Sequence, residues 1–162
     1  MLIWILISAG LVLVDQISKL LVVANIGPND CFHIIPGLFD FVYVKNTGAA
    51  FSILSDSTWL LGIISVLFCI GVCVYWVLKK PAHPLMCTSL TLLFAGALGN
   101  AIDRIFRGFV IDFISTAFMN FPVFNVADIA ITFGAIVMII YFIFFDKDEQ
   151  NGEIDSSDIK SE

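Results

Sequence analysis

The sequence predicts an all-α membrane protein, four transmembrane helices with a small sheet on one side of the bilayer. Hydrophobic residues make up 59% of the 162 residues and charged residues only 14%, where a soluble domain carries about 25% charged. Mean hydropathy is +0.99. The apolar residues gather in four runs, near 2–23, 58–78, 85–102 and 124–145. Each is close to the roughly 20 residues that cross a hydrocarbon core of about 30 Å. With no water inside the bilayer to satisfy backbone groups, all four are expected to be helices.

The first run has no basic leader and no A-x-A-like site after it, so it is expected to stay as a retained span. Between the first and second runs, Pro36-Gly37 reads as a turn. Phe39-Asp40-Phe41-Val42-Tyr43-Val44-Lys45 follows, partly alternating and rich in aromatic and β-branched residues, which predicts a strand. Asn46-Thr47-Gly48-Ala49-Ala50 comes next, with small residues that permit close backbone approach. The second and third runs are joined by the short Lys79–Pro84 connection. After the third, Phe109-Val110-Ile111-Asp112-Phe113-Ile114 is a second strand-like run with one carboxylate embedded in it. Trp4, Trp59 and Trp76 lie near span ends, where interfacial anchors gather. Residues 1–145 read as one integral-membrane domain, and 146–162 as a solvated, disordered acidic tail.

The net charge of −6 belongs mostly to that tail. Seven acids against Lys147 and Lys160 give it −5, which leaves −1 for the membrane body. The low isoelectric point therefore implies no particular partner. Lys79, Lys80 and Lys147 share one side of a four-span protein, which favours cytoplasmic termini. Lys45, Arg104 and Arg107 lie on the other side and weaken the bias. Four cysteines with no C-x-x-C pair form no disulfide framework. Cys69 and Cys73 share a helix face, and all but Cys31 read as small apolar packing residues.

With alternating spans, the polar residues at the ends of spans one and three and the start of span four converge on one membrane face. Asp15 and Lys19 are spaced i, i+4 in the order that favours a helix pair, expected to anchor span one. Asn100, Asp103 and Arg104 share a face, with Asp103 expected to pair with Arg104. Asn125 precedes Asp128 by three, so its amide is placed to orient Asp128 or a substrate carbonyl. Asp128 sits about 6 Å along the helix from Phe124, near the boundary rather than the bilayer centre. Asp112 reaches the same face from the preceding segment. Two carboxylates in a poorly hydrated place cannot both stay ionised, and such a pair can share a proton and act as acid and base together. The alternative is that each acid pairs with Arg104, Arg107 or Lys45. Two acids with Asn125 on one face favour the first reading.

Other chemistries lack their residues. The only histidines, His33 and His83, are expected on opposite faces, and no H-E-x-x-H is present, so no metal centre for hydrolysis is expected. No histidine suits a serine relay. A Ser52–Lys45 pair can be drawn, but spacing does not single it out. No phosphate loop or basic nucleic-acid patch is present. A transporter or proton-relay subunit would distribute polar residues through the bilayer depth. Here they concentrate near one face. A passive scaffold gives no reason for two apolar-flanked aspartates.

Five segments, in order along the chain, resemble lipoprotein signal peptidase (signal peptidase II), the bacterial membrane aspartic peptidase family. They are Asp15-Gln16-Ile17-Ser18-Lys19, Asn46-Thr47-Gly48-Ala49-Ala50-Phe51-Ser52, Gly99-Asn100-Ala101-Ile102-Asp103-Arg104, Gly108-Phe109-Val110-Ile111-Asp112-Phe113 and Phe124-Asn125-Val126-Ala127-Asp128. The resemblance implies four transmembrane helices with a small extracytoplasmic β-cradle. It places Asp112 and Asp128 at the catalytic dyad. Asp15, Lys19, Asn46, Gly48, Asn100, Asp103, Arg104 and Asn125 match positions that shape the site or hold substrate. It further implies cleavage of a diacylglyceryl-modified prolipoprotein before its lipidated cysteine, no metal or other cofactor, inhibition by globomycin, contact with membrane lipid, and no nucleic acid. A monomer in the bacterial cytoplasmic membrane, with its site on the extracytoplasmic face, is expected. The 113–122 stretch between the aspartates is short for the pattern.

Overall fold

A computed structural model describes residues 1–28, 30–48 and 57–146. Ala49–Ser52 and nearly all of the acidic tail lie outside the described residues. The elements run α1 (Leu2–Asn25), β1 (Cys31–Ile35), β2 (Phe39–Asn46), α2 (Thr58–Lys79), α3 (Pro84–Arg107), β3 (Val110–Thr116) and α4 (Val126–Phe144). All four expected helices are present, each long and apolar enough to cross a membrane.

α3 is the hub. α1, α2 and α4 all pack on it. In its most apolar stretch 61% of residues are buried, against 17–22% in the other three helices. Those three turn Leu, Ile, Val and Phe outward, as helices bathed in lipid do. Helix association in lipid depends on close packing rather than a hydrophobic force, so small residues gather at the contact. A Cβ on Gly96 would collide with the Ala127 carbonyl oxygen of α4, so only glycine permits this α3–α4 approach. Ser89 adds a hydrogen bond, donated from Oγ to the Gly134 carbonyl at 3.0 Å.

The strands form one antiparallel sheet in the order β1-β2-β3. The two expected strands are β2 and β3, and the Pro36-Gly37 turn closes the β1–β2 hairpin. β1 was not foreseen. The sheet is held to the membrane body where Val22 at the end of α1 meets Ile111 and Phe113 of β3. α3 runs on to Arg107, five residues past the expected end, and stops at Gly108 in the left-handed conformation (φ 77°). Cys69 and Cys87 are buried as expected of packing residues, but Cys73 is exposed, so the packing reading does not hold for it.

Candidate active site

The site begins with the way α4 starts. Asn125 is its N-cap, with extended backbone, and Asp128 is the third helical residue. Asp128 N–H donates to Asn125 Oδ1 at 3.0 Å, and Asn125 N–H donates to Asp128 Oδ2 at 3.1 Å. This reciprocal capping box satisfies two of the free amides at a helix start. It also fixes Asp128 at the mouth of the helix, with its Oδ1 accepting from Asn100 Nδ2 at 2.8 Å. The spacing of Asn125 and Asp128 is thus a cap signature, a stronger constraint than a shared helix face.

Asp112 enters from β3, whose first four residues are buried. Its Oδ2 accepts from Asn46 Nδ2 of β2 at 2.7 Å, and its Oδ1 from Asn125 Nδ2 at 2.7 Å. Asn46 is itself fixed, because its Oδ1 accepts from the Gly48 N–H at 2.9 Å. Burial pushes the Asp112 carboxyl up to about 6. The Asn46 donation opposes this, the negative charge of Asp128 adds to it, and the Asn125 donation opposes it again. One residue, Asn125, therefore touches both carboxylates, through its side-chain amide to Asp112 and its cap bonds to Asp128.

Among the described residues neither Asp112 nor Asp128 makes an ion pair. None of the cations expected as alternatives pairs with either acid, although Arg104 lines the same cavity and feels the charge of both. Lys45 Nζ lies over the Phe109 ring, 5.0 Å from its centre. Arg107 pairs with Asp103. Arg104 donates from Nη2 to the Gly48 carbonyl at 3.3 Å, and its buried Nε has no partner among the described residues. The expected Asp103–Arg104 pair is therefore not made. Adjacent helical residues point about 100° apart, whereas Asp103 and Arg107 are i, i+4 neighbours on one face.

A second polar layer lies beside the first. Lys19 is fully buried. Its ammonium contacts Asp15 and Asp103, each at 2.9 Å, and donates to Asn100 Oδ1 at 3.0 Å. Asp15 also accepts from the Ala127 N–H of α4 at 3.0 Å, so span one is anchored to α3 and α4 as expected. Asp103 accepts from the Ile111 N–H of β3 at 3.2 Å. Gln16, not foreseen as a site residue, donates to Asp15 and Asp103 and accepts from Arg107. Its place directly after Asp15 was the available signal. Asp15 fits because Gly99 has no side chain: a Cβ there would stand 2.6 Å from Asp15 Oδ2.

Both carboxylates open onto a cavity of about 880 Å³. Asn46, Gly48, Asn100 and Arg104 share its polar wall, and Phe121, Phe124, Ile129 and Phe133 its apolar one. Phe133 is exposed on the outer surface of α4, so the cavity reaches the face that lipid would cover. Of the expected site residues, Asn46, Gly48, Asn100, Arg104, Asp112 and Asp128 line this cavity directly. Asn125 holds it from behind, and Asp15, Lys19 and Asp103 form the supporting layer.

Known proteins match this arrangement along nearly its full length. The sequence pattern of signal peptidase (SPase) II matches residues 7–144. A lipoprotein signal peptidase of Streptococcus agalactiae is 39% identical over 148 residues, 91% of this chain and 94% of that protein. One from Enterococcus faecalis is 39% identical over 152 residues, 93% of this chain and 94% of its own. A bacterial membrane enzyme solved by the in meso method at 2.3 Å superposes with a TM-score of 0.83 at 36% identity, covering 91% of this chain and 90% of that one. With four membrane-spanning helices, a three-stranded sheet and a polar cavity where they meet, the chain belongs to the signal peptidase II family.

Proposed function

We propose that this protein is an aspartic endopeptidase that removes the signal peptide from diacylglyceryl-modified prolipoproteins, cutting before the lipidated cysteine. The observation that carries the reading is that Asp112 and Asp128 border one cavity and are held by amides, with neither in an ion pair among the described residues. A pair so placed holds one proton between its members. The ionised carboxylate takes a proton from water, and the resulting hydroxide oxygen bonds to the scissile carbonyl carbon. The protonated carboxyl gives its proton to the carbonyl oxygen. When the tetrahedral carbon collapses, one of its two hydroxyls gives its proton to the ionised member of the pair, the C–N bond breaks and the departing nitrogen takes a proton from the other member, so the products are a carboxylic acid and an amine and the pair again holds a single proton. The positions of Asn46 and Asn125 suit them to hold Asp112, and those of Asn100 and the α4 cap suit them to hold Asp128. Arg104 and the Gly48 backbone are placed to meet the peptide.

The apolar wall suits a lipidated substrate. Acyl chains entering laterally from the bilayer would run beside Ile129 and Phe133 while the cut site lies under the sheet. Lys79 and Lys80 stand at the opposite ends of the helices from the cavity, which supports cytoplasmic termini and an extracytoplasmic site in the bacterial cytoplasmic membrane. The protein acts as a monomer, and a globomycin-type cyclic peptide would occupy the same cavity. The test is incubation of purified protein with a diacylglyceryl-modified lipobox peptide, with and without globomycin. Wild type cleaves and globomycin blocks it. Asp112→Asn and Asp128→Asn insert in the membrane but lose cleavage by at least about 100-fold, the lower bound for removing a positioned acid or base. Full activity in either variant rules out the dyad.

A further inference from the structure

The β1–β2 hairpin carries a second cluster of reactive side chains that the peptidase reading does not use. Cys31 and His33 are two apart on β1, so their side chains leave the same face of the sheet. Asp40 of β2 stands directly opposite His33 in the antiparallel register. His33 Nδ1 lies 2.6 Å from Asp40 Oδ1 and 4.0 Å from Cys31 Sγ. One ligand atom from each of the three residues falls within 4.8 Å of the others.

We infer that this edge of the sheet binds one divalent transition-metal ion of the zinc type through Cys31 Sγ, His33 Nδ1 and the Asp40 carboxylate. Zinc–ligand bonds of about 2.0–2.3 Å in a tetrahedron put neighbouring ligand atoms about 3.3–3.8 Å apart. The Cys31–His33 separation is already close to that. The His33–Asp40 pair needs to open by about 1 Å, which is what replacing a shared proton with a metal does. Thiolate, imidazole and carboxylate are ligands that together suit zinc and its borderline neighbours over calcium or magnesium. The two anionic ligands balance the charge of a divalent ion, and water completes the fourth position. A surface His–Asp pair alone would not require a thiol beside the same ring nitrogen. All three ligands come from one hairpin closed by a tight turn, so little loop entropy opposes closure. The hairpin gains from it, because β1 is exposed along its length and, among the described residues, has only β2 beside it in the sheet. On binding, the thiol proton passes to solvent and His33 keeps its proton on Nε2, leaving Nδ1 free for the metal. The site lies outside the cavity of Asp112 and Asp128 and has no part in the cleavage step.

The test is titration of untagged, chelator-stripped, full-length protein in micelles with Co²⁺, followed by displacement with Zn²⁺. The expected result is saturation at one cobalt per chain, with tetrahedral d–d bands and a sulfur-to-cobalt charge-transfer band. Cys31→Ser abolishes the charge-transfer band. His33→Ala and Asp40→Asn each weaken binding by at least tenfold, since loss of even a supporting residue costs about 10–100-fold. Cys73→Ser, removing the exposed thiol of α2, leaves the spectrum unchanged. Peptide cleavage by each variant confirms that it is folded. Absence of saturable binding to wild type, a charge-transfer band that survives Cys31→Ser, or one lost in Cys73→Ser would overturn the proposal.

Discussion

Asn125 performs two separable tasks, and substitution can divide them. Its Oδ1 caps α4 by accepting from Asp128 N–H at 3.0 Å, and its Nδ2 donates to Asp112 at 2.7 Å. Asn125→Ser keeps an oxygen able to cap but has no amide to reach Asp112. Asn125→Ala loses both. A cap is worth about 1 kcal/mol, and a hydrogen bond to a charged group about 1.5–3 kcal/mol. Alanine is therefore expected to cost about 3 kcal/mol of stability by these figures and serine about 2. Unfolding of the two variants in micelles should follow that order. Cleavage should fall in both, by about 100-fold if Asp112 moves by about 1 Å. The pH profile separates positioning from mere structure. The Asn125 donation favours ionised Asp112 and holds its carboxyl, at about 6, below where burial alone would set it. Removing the donor raises that value. Under the proposed mechanism the pair is competent while it retains one proton and fails once that proton is lost, so the alkaline limb of the rate profile moves to higher pH. Asn46→Ala, which removes the other donor to Asp112, should move it the same way. A serine variant with wild-type rate and an unmoved limb, or a limb that moves to lower pH, would refute the assignment of Asn125 as the residue that positions Asp112.

Two further outcomes follow from the supporting layer. Lys19→Met leaves two buried carboxylates without their shared ammonium, expected to cost about 3–5 kcal/mol. Adding Asp15→Asn removes one of those charges, so the double variant should unfold later than Lys19→Met alone, as a denaturation series in micelles would show. Gly99→Ala forces a methyl against Asp15 Oδ2. It is expected to cost about 1–3 kcal/mol, as overpacking does, and to reduce cleavage. Thermal unfolding of the purified variant measures the first, and the peptide assay the second.

What could be read from the sequence depended on how local its cause was. The four spans were legible because the length of an apolar run is a property of the run itself. β2 and β3 were legible because each sets aromatic and β-branched residues between turn residues. β1 has the same composition in five residues, but it is an exposed edge whose pairing depends on β2, and Cys-Phe-His-Ile-Ile does not announce it. The end of α3 was placed early because Asp103, Arg104 and Arg107 interrupt the hydropathy. Backbone hydrogen bonding does not depend on hydropathy, and the helix continues to Gly108. The Asp103–Arg107 pair and the Asn125–Asp128 cap had local signals, an i, i+4 spacing and an N-x-x-D pattern before an apolar run. The contact of Lys19 with Asn100 had none, since 81 residues separate them.

That long-range contact explains how a site built beside an ion cluster keeps Asp128 out of direct contact with the Lys19 ammonium. Asn100 stands between the two layers. Its Oδ1 accepts from the Lys19 ammonium at 3.0 Å, which leaves only Nδ2 to face Asp128. The same oxygen accepts from Asn125 Nδ2 at 3.2 Å, so both amides are locked in one orientation. The Lys19 charge is met at contact distance by Asp15 and Asp103, and Arg107 adds to the same group. It reaches Asp128 through the amide of Asn100. An ammonium placed directly on Asp128 would hold it ionised and prevent the alternation between acid and base that the proposed mechanism requires. An amide orients the carboxylate without fixing its charge. Lys19→Met would therefore be felt at the cavity as well as in stability, because Asn100 would lose one of the two contacts that set which of its ends faces Asp128, keeping only that of Asn125.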